Sequence, residues 1–161
     1  MDNWEAETLN ISGIVDDSIV DGPGLRYTIF VQGCPHGCPE CHNPQTHSFE
    51  ENKRVTLGQL MSEIKENPLL YGVTFSGGEP FCQPGPLAIL GQQIKKAGMH
   101  LMCYSGYTYE QLLKRAETEP DVAALLDVVD VLVDGPFLIG ERDLELLYRG
   151  SRNQRLIDLK A

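Results

Sequence analysis

Short runs of β-branched and aromatic residues alternate along the chain with segments whose apolar residues recur at helical spacing. Runs at residues 26–32, 72–76, 100–104 and 128–133 are typical of strands, and a fifth strand is expected at 155–159. These runs are apolar almost throughout, as expected of strands in a sheet that helices cover. The pattern predicts an alternating arrangement of strands and helices.

Three helices are predicted between these strands. Each has apolar residues at helical spacing and a recognisable start or end signal. The signals are a Thr56–Gln59 capping box, a second helix that begins near Pro84 and ends at Gly98, and a Thr108–Gln111 capping box.

The alternation predicts an α/β fold with parallel strands joined by right-handed crossovers. In such units the loops that leave the carboxyl ends of the strands gather at one rim, where functional sites are built. A cysteine-rich loop follows the first strand, residues 76–80 (Ser-Gly-Gly-Glu-Pro) follow the second, and residues 105–107 (Ser-Gly-Tyr) follow the third. We expect these three loops to face one space.

Composition restricts the classes of partner. The 161 residues include 13 Lys plus Arg and 23 Asp plus Glu, which gives a net charge of −10. This balance argues against nucleic acid and against an anionic membrane surface. No apolar run approaches the ~20 residues of a transmembrane helix, and the first residues do not resemble a secretion signal. We expect a single cytoplasmic domain that spans residues 1–161.

Three of the five cysteines, Cys34, Cys38 and Cys41, fall within eight residues. A disulfide framework would favour an even number of cysteines spread along the chain. Three thiolates on one tight loop can instead hold three corners of a cubane iron–sulfur cluster and leave the fourth iron open to an external ligand. The sequence therefore predicts a reactive metal site on this loop.

Two other interpretations of this loop remain open. A structural zinc ion could take its fourth ligand from His36, His42 or His47. A redox-active pair formed by Cys38 and Cys41 is the other alternative, although it gives Cys34 no role. The remaining cysteines, Cys82 and Cys103, are expected to be small buried hydrophobic residues.

The Cys-x3-Cys-x2-Cys loop, followed after the next strand by Gly-Gly-Glu-Pro, resembles the radical S-adenosylmethionine (radical SAM) superfamily. The resemblance implies that Cys34, Cys38 and Cys41 ligate a [4Fe-4S] cluster. Its open iron would bind S-adenosyl-L-methionine, which is split to a 5′-deoxyadenosyl radical. The cofactor-binding residues implied are Glu40, Cys41, His42, Gly77, Gly78, Glu79 and Ser105. Many members have an aromatic residue where this chain has Glu40, and His42 and Tyr104 are candidate substitutes for contact with adenine.

Further motifs narrow the resemblance to the activases of glycyl radical enzymes. They are residues 20–26 (Val-Asp-Gly-Pro-Gly-Leu-Arg) and 41–44 (Cys-His-Asn-Pro). Residues 104–108, 131–137 and 149–155 are similar to the activases of anaerobic ribonucleoside-triphosphate reductases. The resemblance implies a parallel β/α barrel of the radical SAM type, and 161 residues leave little room for its six strand–helix units, so we expect the barrel to be incomplete and open.

The family also implies a reaction and partners. The reaction is hydrogen abstraction from a glycine of the reductase catalytic subunit, with electrons from a flavodoxin-like one-electron donor and without a catalytic acid–base pair. Asp21 is a candidate contact with the glycine segment of the partner, and Asp134, Asn153 and Arg155 are candidates for the same space. An activase of another glycyl radical enzyme, of the pyruvate formate-lyase type, is the alternative function, and a structural zinc module is a third.

Overall fold

The computed structural model describes residues 3–34, 53–136, 148–149, 151 and 153–160. These residues form one seven-stranded sheet and four α-helices. The strands are β1 (Thr8–Ser18), β2 (Arg26–Val31), β3 (Lys53–Thr56), β4 (Gly72–Gly77), β5 (His100–Tyr104), β6 (Val131–Asp134) and β7 (Arg155–Asp158). The helices are α1 (Leu57–Glu66), α2 (Pro84–Lys96), α3 (Tyr109–Ala116) and α4 (Pro120–Val128), with 3₁₀ turns at Trp4–Ala6 and Pro80–Cys82.

The sheet has the order β3-β1-β2-β4-β5-β6-β7 and is open, with β3 and β7 at its two edges. The four strands β2, β4, β5 and β6 are parallel, which confirms the predicted alternation for the centre of the sheet. β1, β3 and β7 run antiparallel to their neighbours. The strand predicted at 155–159 is thus present but does not continue the parallel series, and β1 and β3 had not been predicted.

One face of the sheet packs against the helices and forms the core. In α1 the buried residues are Leu57, Leu60, Met61 and Ile64, and in α2 they include Leu87, Leu90 and Ile94. Alternate strand residues, Ile29, Phe75, Leu101 and Leu132, are fully buried against them. Each such side chain contributes about 1.5–3 kcal/mol by its removal from water.

The predicted helix starts hold: α2 begins at Pro84, the capping box at α3 is complete, and at α1 the Thr56 bond of the predicted box is present. The Thr56 hydroxyl accepts from the Gln59 backbone N–H at 3.2 Å, so Thr56 is the N-cap of α1. At α3 both halves of the capping box are present, with Thr108 and Gln111 bonding each other's backbone N–H groups. These bonds satisfy donors that a helix start otherwise leaves without a partner.

The opposite face of the central strands carries buried polar side chains, so the prediction that the strands are apolar almost throughout was wrong for this face. Thr28, Thr74 and Met102 lie in register on β2, β4 and β5. Arg26 and Ser76 are also buried on these strands. Successive strand residues face opposite sides, so in β2 and β4 the core-facing apolar residues alternate with polar ones on this opposite face, here named the inner face.

The boundary before β6 also differs from the prediction of a strand over 128–133. Residues up to Val128 belong to α4, which has Pro120 in its first turn and buries Val122, Leu125 and Val128. Proline is favoured at the first helical position, and the spacing of these apolar residues is helical. β6 therefore begins only at Val131.

No helix among the described residues combines the length and the apolar character needed to cross a membrane.

Candidate functional site

The carboxyl ends of the four parallel strands meet at one rim, as the sequence predicts. Backbone hydrogen bonds join the segments that leave them. Gly78 N–H donates to Val31 O at 2.9 Å, and Glu79 N–H donates to Gly33 O at 2.7 Å. The segment that carries Glu79 is thereby held directly beside the residue that precedes Cys34. The cysteine loop and the Gly-Gly-Glu loop start from one rigid junction.

Gly77 makes this close junction possible. Its φ of +95° is in the region that favours glycine. A Cβ atom at this position would lie 2.5 Å from the backbone nitrogen of Val31 and 2.7 Å from backbone atoms of Phe30. Neither neighbour can move away easily because both are strand backbone. The first glycine of the motif is therefore required by the approach of two strands.

The Glu79 carboxylate is fully buried and links the second rim loop to the third. Its Oε2 accepts from the Ser105 hydroxyl at 2.9 Å and from Phe81 N–H at 3.0 Å. Its Oε1 accepts from Gly106 N–H at 2.7 Å. The structure thus brings together Glu79 and Ser105, two of the residues that the sequence assigns to one site.

The cysteines divide between the rim and the core. Cys34 follows β2 and is half-buried, whereas Cys38 and Cys41 lie outside the described residues, as do Glu40 and His42. The other candidate zinc ligands, His36 and His47, also lie outside the described residues.

The two remaining cysteines differ from each other. Cys103 is buried as predicted, and burial raises the pKa of its thiol well above the usual value. Cys82 is exposed, so the prediction that it is buried was wrong. It lies in the 3₁₀ turn Pro80–Cys82, and desolvation of the sulfur together with the nearby Glu79 carboxylate raises its pKa to about 11. Both thiols are therefore protonated near neutral pH.

Asp21 lies in the segment between β1 and β2, which folds against the inner face of the sheet. Its backbone oxygen accepts from the Thr74 hydroxyl at 2.7 Å, and its carboxylate accepts from the Ser18 hydroxyl. Burial, and then the charge of Asp21, raise the pKa of Tyr104. Tyr104 is the last residue of β5 and lies at the rim. Asp21 is therefore close enough to the rim for its charge to act there.

Asp134 and Arg155 form an ion pair that joins β6 to β7. The Asp134 carboxylate, only 1% exposed, accepts from Arg155 Nε at 2.9 Å and from Tyr109 N–H at 2.7 Å. The same arginine reaches Glu110 at 2.7 Å. Asn153 donates to Pro136 O at 2.8 Å. The structure therefore shows these three candidates for the site, Asp134, Asn153 and Arg155, bonded to neighbouring protein groups.

Replacing Asp134 with Asn is expected to lower the free energy of unfolding by about 2 kcal/mol, because the bonds of this buried carboxylate to Arg155 and to the start of α3 are weakened. Chemical denaturation measures this change. The matched control is Glu110→Gln, which removes the exposed partner of the same arginine and should leave the denaturation midpoint almost unchanged. Equal losses in the two variants would contradict the assignment of the buried Asp134 carboxylate as the stabilising partner of Arg155.

Comparison with known proteins shows the family of this chain. A family model described as a 4Fe-4S single cluster domain matches residues 20–157. The anaerobic ribonucleoside-triphosphate reductase-activating protein of Vibrio cholerae is 34% identical over 145 residues, which cover 84% of this chain and 89% of that protein. The protein of the same name from Escherichia coli K12 is 33% identical over 144 residues, covering 84% and 90%.

A second kind of activase also matches. The pyruvate formate-lyase-activating enzyme of Clostridium pasteurianum is 35% identical over 134 residues, which cover 78% of this chain and 54% of that enzyme. The chain belongs to the radical SAM activases of glycyl radical enzymes. As a radical SAM activase it is an enzyme that uses a [4Fe-4S] cluster and S-adenosylmethionine.

The fold of this activase is also found in a solved structure. QueE from Escherichia coli aligns with a TM-score of 0.52 and 19% sequence identity, over 65% of this chain and 55% of QueE. Together with the unclosed sheet, this likeness confirms the incomplete, open parallel β/α barrel.

Sequence reasoning missed two side chains of the activase that the inner face brings together. Arg26 begins β2 and is fully buried, and Thr74 lies at the middle of β4. The sequence did contain a signal for this polar cluster, because an arginine and two threonines interrupt strands that are otherwise mostly apolar. Arg26 and Thr74 are 48 residues apart along the chain, and the pattern does not show that they bond to each other.

Proposed function

We propose that this chain activates an anaerobic ribonucleoside-triphosphate reductase by generating a glycyl radical on its catalytic subunit. The observation that carries the proposal is the similarity to activating proteins with that name, which extends over 84% of this chain and about nine-tenths of each relative. Residues 1–161 act in this proposal as one domain in the cytoplasm. The net charge of −10 argues against nucleic acid or an anionic membrane as the partner.

Cys34, Cys38 and Cys41 are proposed to hold the [4Fe-4S] cluster. Three thiolates suit a cubane cluster with one open iron, and Cys34 leaves the carboxyl end of β2 beside the Gly-Gly-Glu segment. The other described cysteines lie elsewhere, since Cys103 is buried in the hydrophobic core and Cys82 lies in the 3₁₀ turn Pro80–Cys82. When bound, the cluster and S-adenosylmethionine supply a 5′-deoxyadenosyl radical by one-electron reductive cleavage.

The rim residues are proposed to bind S-adenosylmethionine. Gly77 and Gly78 let the backbone approach the methionine end, and the buried Glu79 carboxylate orients Ser105 and the backbone of Gly106 toward it. Glu40, Cys41 and His42 are proposed to complete the pocket near the adenine and ribose. In this proposal these residues bind and orient the cofactor, and no general acid or base is required.

The partner is proposed to present a glycine-bearing segment to the open side of the barrel, near Asp21. The cluster and S-adenosylmethionine would supply the radical that takes a hydrogen atom from the glycine Cα, which would give 5′-deoxyadenosine and a glycyl radical, and one electron from a flavodoxin-like donor would account for one activation. The open sheet and the polar inner face support access by a macromolecule. The protein's contribution is positioning and exclusion of water.

Electron paramagnetic resonance tests this function directly. The reduced, reconstituted activase is mixed anaerobically with S-adenosylmethionine and the candidate reductase, and the expected signal is a glycyl radical doublet. Omitting S-adenosylmethionine is the control and should give no doublet. The similarity to a pyruvate formate-lyase-activating enzyme keeps a second candidate function, activation of that type of glycyl radical enzyme. A doublet with a formate-lyase but none with the reductase would select it.

A further inference from the structure

Residues 19–25, here named the docking loop, connect β1 to β2 and lie against the inner face of the sheet. We propose that Arg26 and Thr74 are positioning residues that hold the docking loop, and Asp21 within it, in the conformation that receives the glycine segment of the reductase. This inference rests on the proposed function, and it assigns a role to two residues that do not belong to the cofactor rim.

Arg26 is buried and bonded on every side. Its Nε donates to the Thr74 hydroxyl at 2.7 Å, its Nη1 donates to Pro23 O at 2.8 Å, and its Nη2 donates to Val73 O at 2.8 Å. The Nη2 group also lies 2.9 Å from His100 Nδ1. Because guanidinium is only a donor, this ring nitrogen is the acceptor and His100 is neutral. One side chain thus joins the docking loop to β4 and β5.

Thr74 completes the connection. Its hydroxyl has one proton, which it donates to Asp21 O at 2.7 Å while its oxygen accepts from Arg26 Nε. The order of donation runs from Arg26 through Thr74 to the backbone of Asp21. A rotation of the docking loop away from the sheet would leave two buried polar groups without their partners, which is costly. The hydroxyl therefore restricts the position of Asp21.

Contact between the docking loop and the sheet is close. Gly22 has a φ of +142°, and a Cβ there would lie 2.7 Å from Arg26 Cδ and 2.8 Å from Met102 Sδ. The loop is therefore packed against Arg26 as well as hydrogen-bonded to it.

The other side of the docking loop is exposed, since Ile19 and Val20 are 74% and 72% exposed. The surface it presents combines two apolar side chains with the neighbouring Asp21, which suits a partner segment with small, apolar residues and free backbone N–H groups.

Holding this loop before the partner arrives reduces the conformational entropy that binding must overcome. Substitution of a positioning residue should therefore lower the affinity for the reductase without changing the partner-free cleavage of S-adenosylmethionine. Partner-free cleavage of S-adenosylmethionine depends on the rim, while activation of the reductase depends on both the rim and the docking loop.

The chain offers a matched pair of variants. Thr28 lies opposite Thr74 in the parallel register of β2 and β4, and both side chains are fully buried. Within the described part of the chain the Thr28 hydroxyl has no hydrogen-bond partner. Thr74→Val and Thr28→Val make the same change of shape, but only the first removes the bond to the docking loop. Thr74→Ser retains that hydroxyl.

The measurements are the Kd of each reconstituted variant for the reductase, the KM for the reductase in glycyl radical formation, and partner-free release of 5′-deoxyadenosine. Thr74→Val is expected to raise Kd and KM about ten-fold, the scale of one lost hydrogen bond, with partner-free release unchanged. Thr28→Val and Thr74→Ser should stay within about two-fold of the unsubstituted protein.

Three results would overturn the inference: an unchanged Kd in Thr74→Val, an equal rise in Thr28→Val, or a parallel loss of partner-free release in Thr74→Val. The last result would show that the hydroxyl supports the fold or the rim. Failure of the unsubstituted protein itself to cleave S-adenosylmethionine would instead contradict the proposed function, so the two failures are distinguishable.

Discussion

Replacing Cys34 with Ala is expected to abolish assembly of the iron–sulfur cluster, and with it the cleavage of S-adenosylmethionine. A cubane cluster that has only three protein ligands cannot readily lose one, because alanine supplies no donor and the fourth iron is needed for the cofactor. Cys34 directly follows the rigid junction between β2 and the Gly-Gly-Glu segment. Iron should fall from about four atoms per chain to near zero after anaerobic reconstitution, and 5′-deoxyadenosine should fall below detection.

Cys82→Ala is the matched control for this substitution. Cys82 is also an accessible cysteine near Glu79, but its thiol pKa is raised to about 11 and it lies in a 3₁₀ turn after the second rim loop. This variant should retain about four irons and full cleavage activity. If Cys34→Ala keeps its iron and its activity while Cys82→Ala loses them, the assignment of the ligands is wrong.

Replacing Gly77 with Ala should give the largest loss of stability among substitutions at the rim. Two costs add here: a φ of +95°, which strains an L-residue, and a Cβ placed 2.5 Å from the Val31 backbone nitrogen. Each cost is on the order of 1–3 kcal/mol, so we expect a decrease of about 3 kcal/mol or more in the free energy of unfolding. Chemical denaturation of the protein measures it.

Gly98→Ala separates these two costs. Gly98 follows α2 with a φ of +78°, but a Cβ at this position would meet no atom of the described residues within 4 Å. Its substitution should therefore show only the conformational cost, about 1 kcal/mol. If both variants lose the same stability, the close approach of β2 and β4 at Gly77 does not limit which residue can occupy that position.

Much of the centre of the fold could be predicted because its signals are local. The strand at residues 100–104 has the predicted bounds, and the box at Thr108–Gln111 marks the start of α3. β1 was missed because its pairing with β2 has register shifts between Ile11 and Gly13 and again between Val15 and Ser18, which interrupt simple alternation. β3 is four residues long and begins with two charged side chains, so its sequence resembles a loop.

The candidate site was predictable only as far as chain order determines geometry. Loops that follow consecutive parallel strands must meet at one rim, and the structure places Glu79 against Ser105 there. Bonds between distant residues, such as Arg26 to Thr74 on the inner face and Arg155 to Asp134 between β6 and β7, join residues 48 and 21 positions apart. A single sequence contains the donors and acceptors of such pairs but does not indicate which ones are partners.

The most direct test of the account is the quantity of 5′-deoxyadenosine and methionine that the reduced, iron-reconstituted protein releases from S-adenosylmethionine. Both products should appear in equal amounts, and neither should appear without reductant. A protein that holds about four irons per chain yet releases neither product would contradict it.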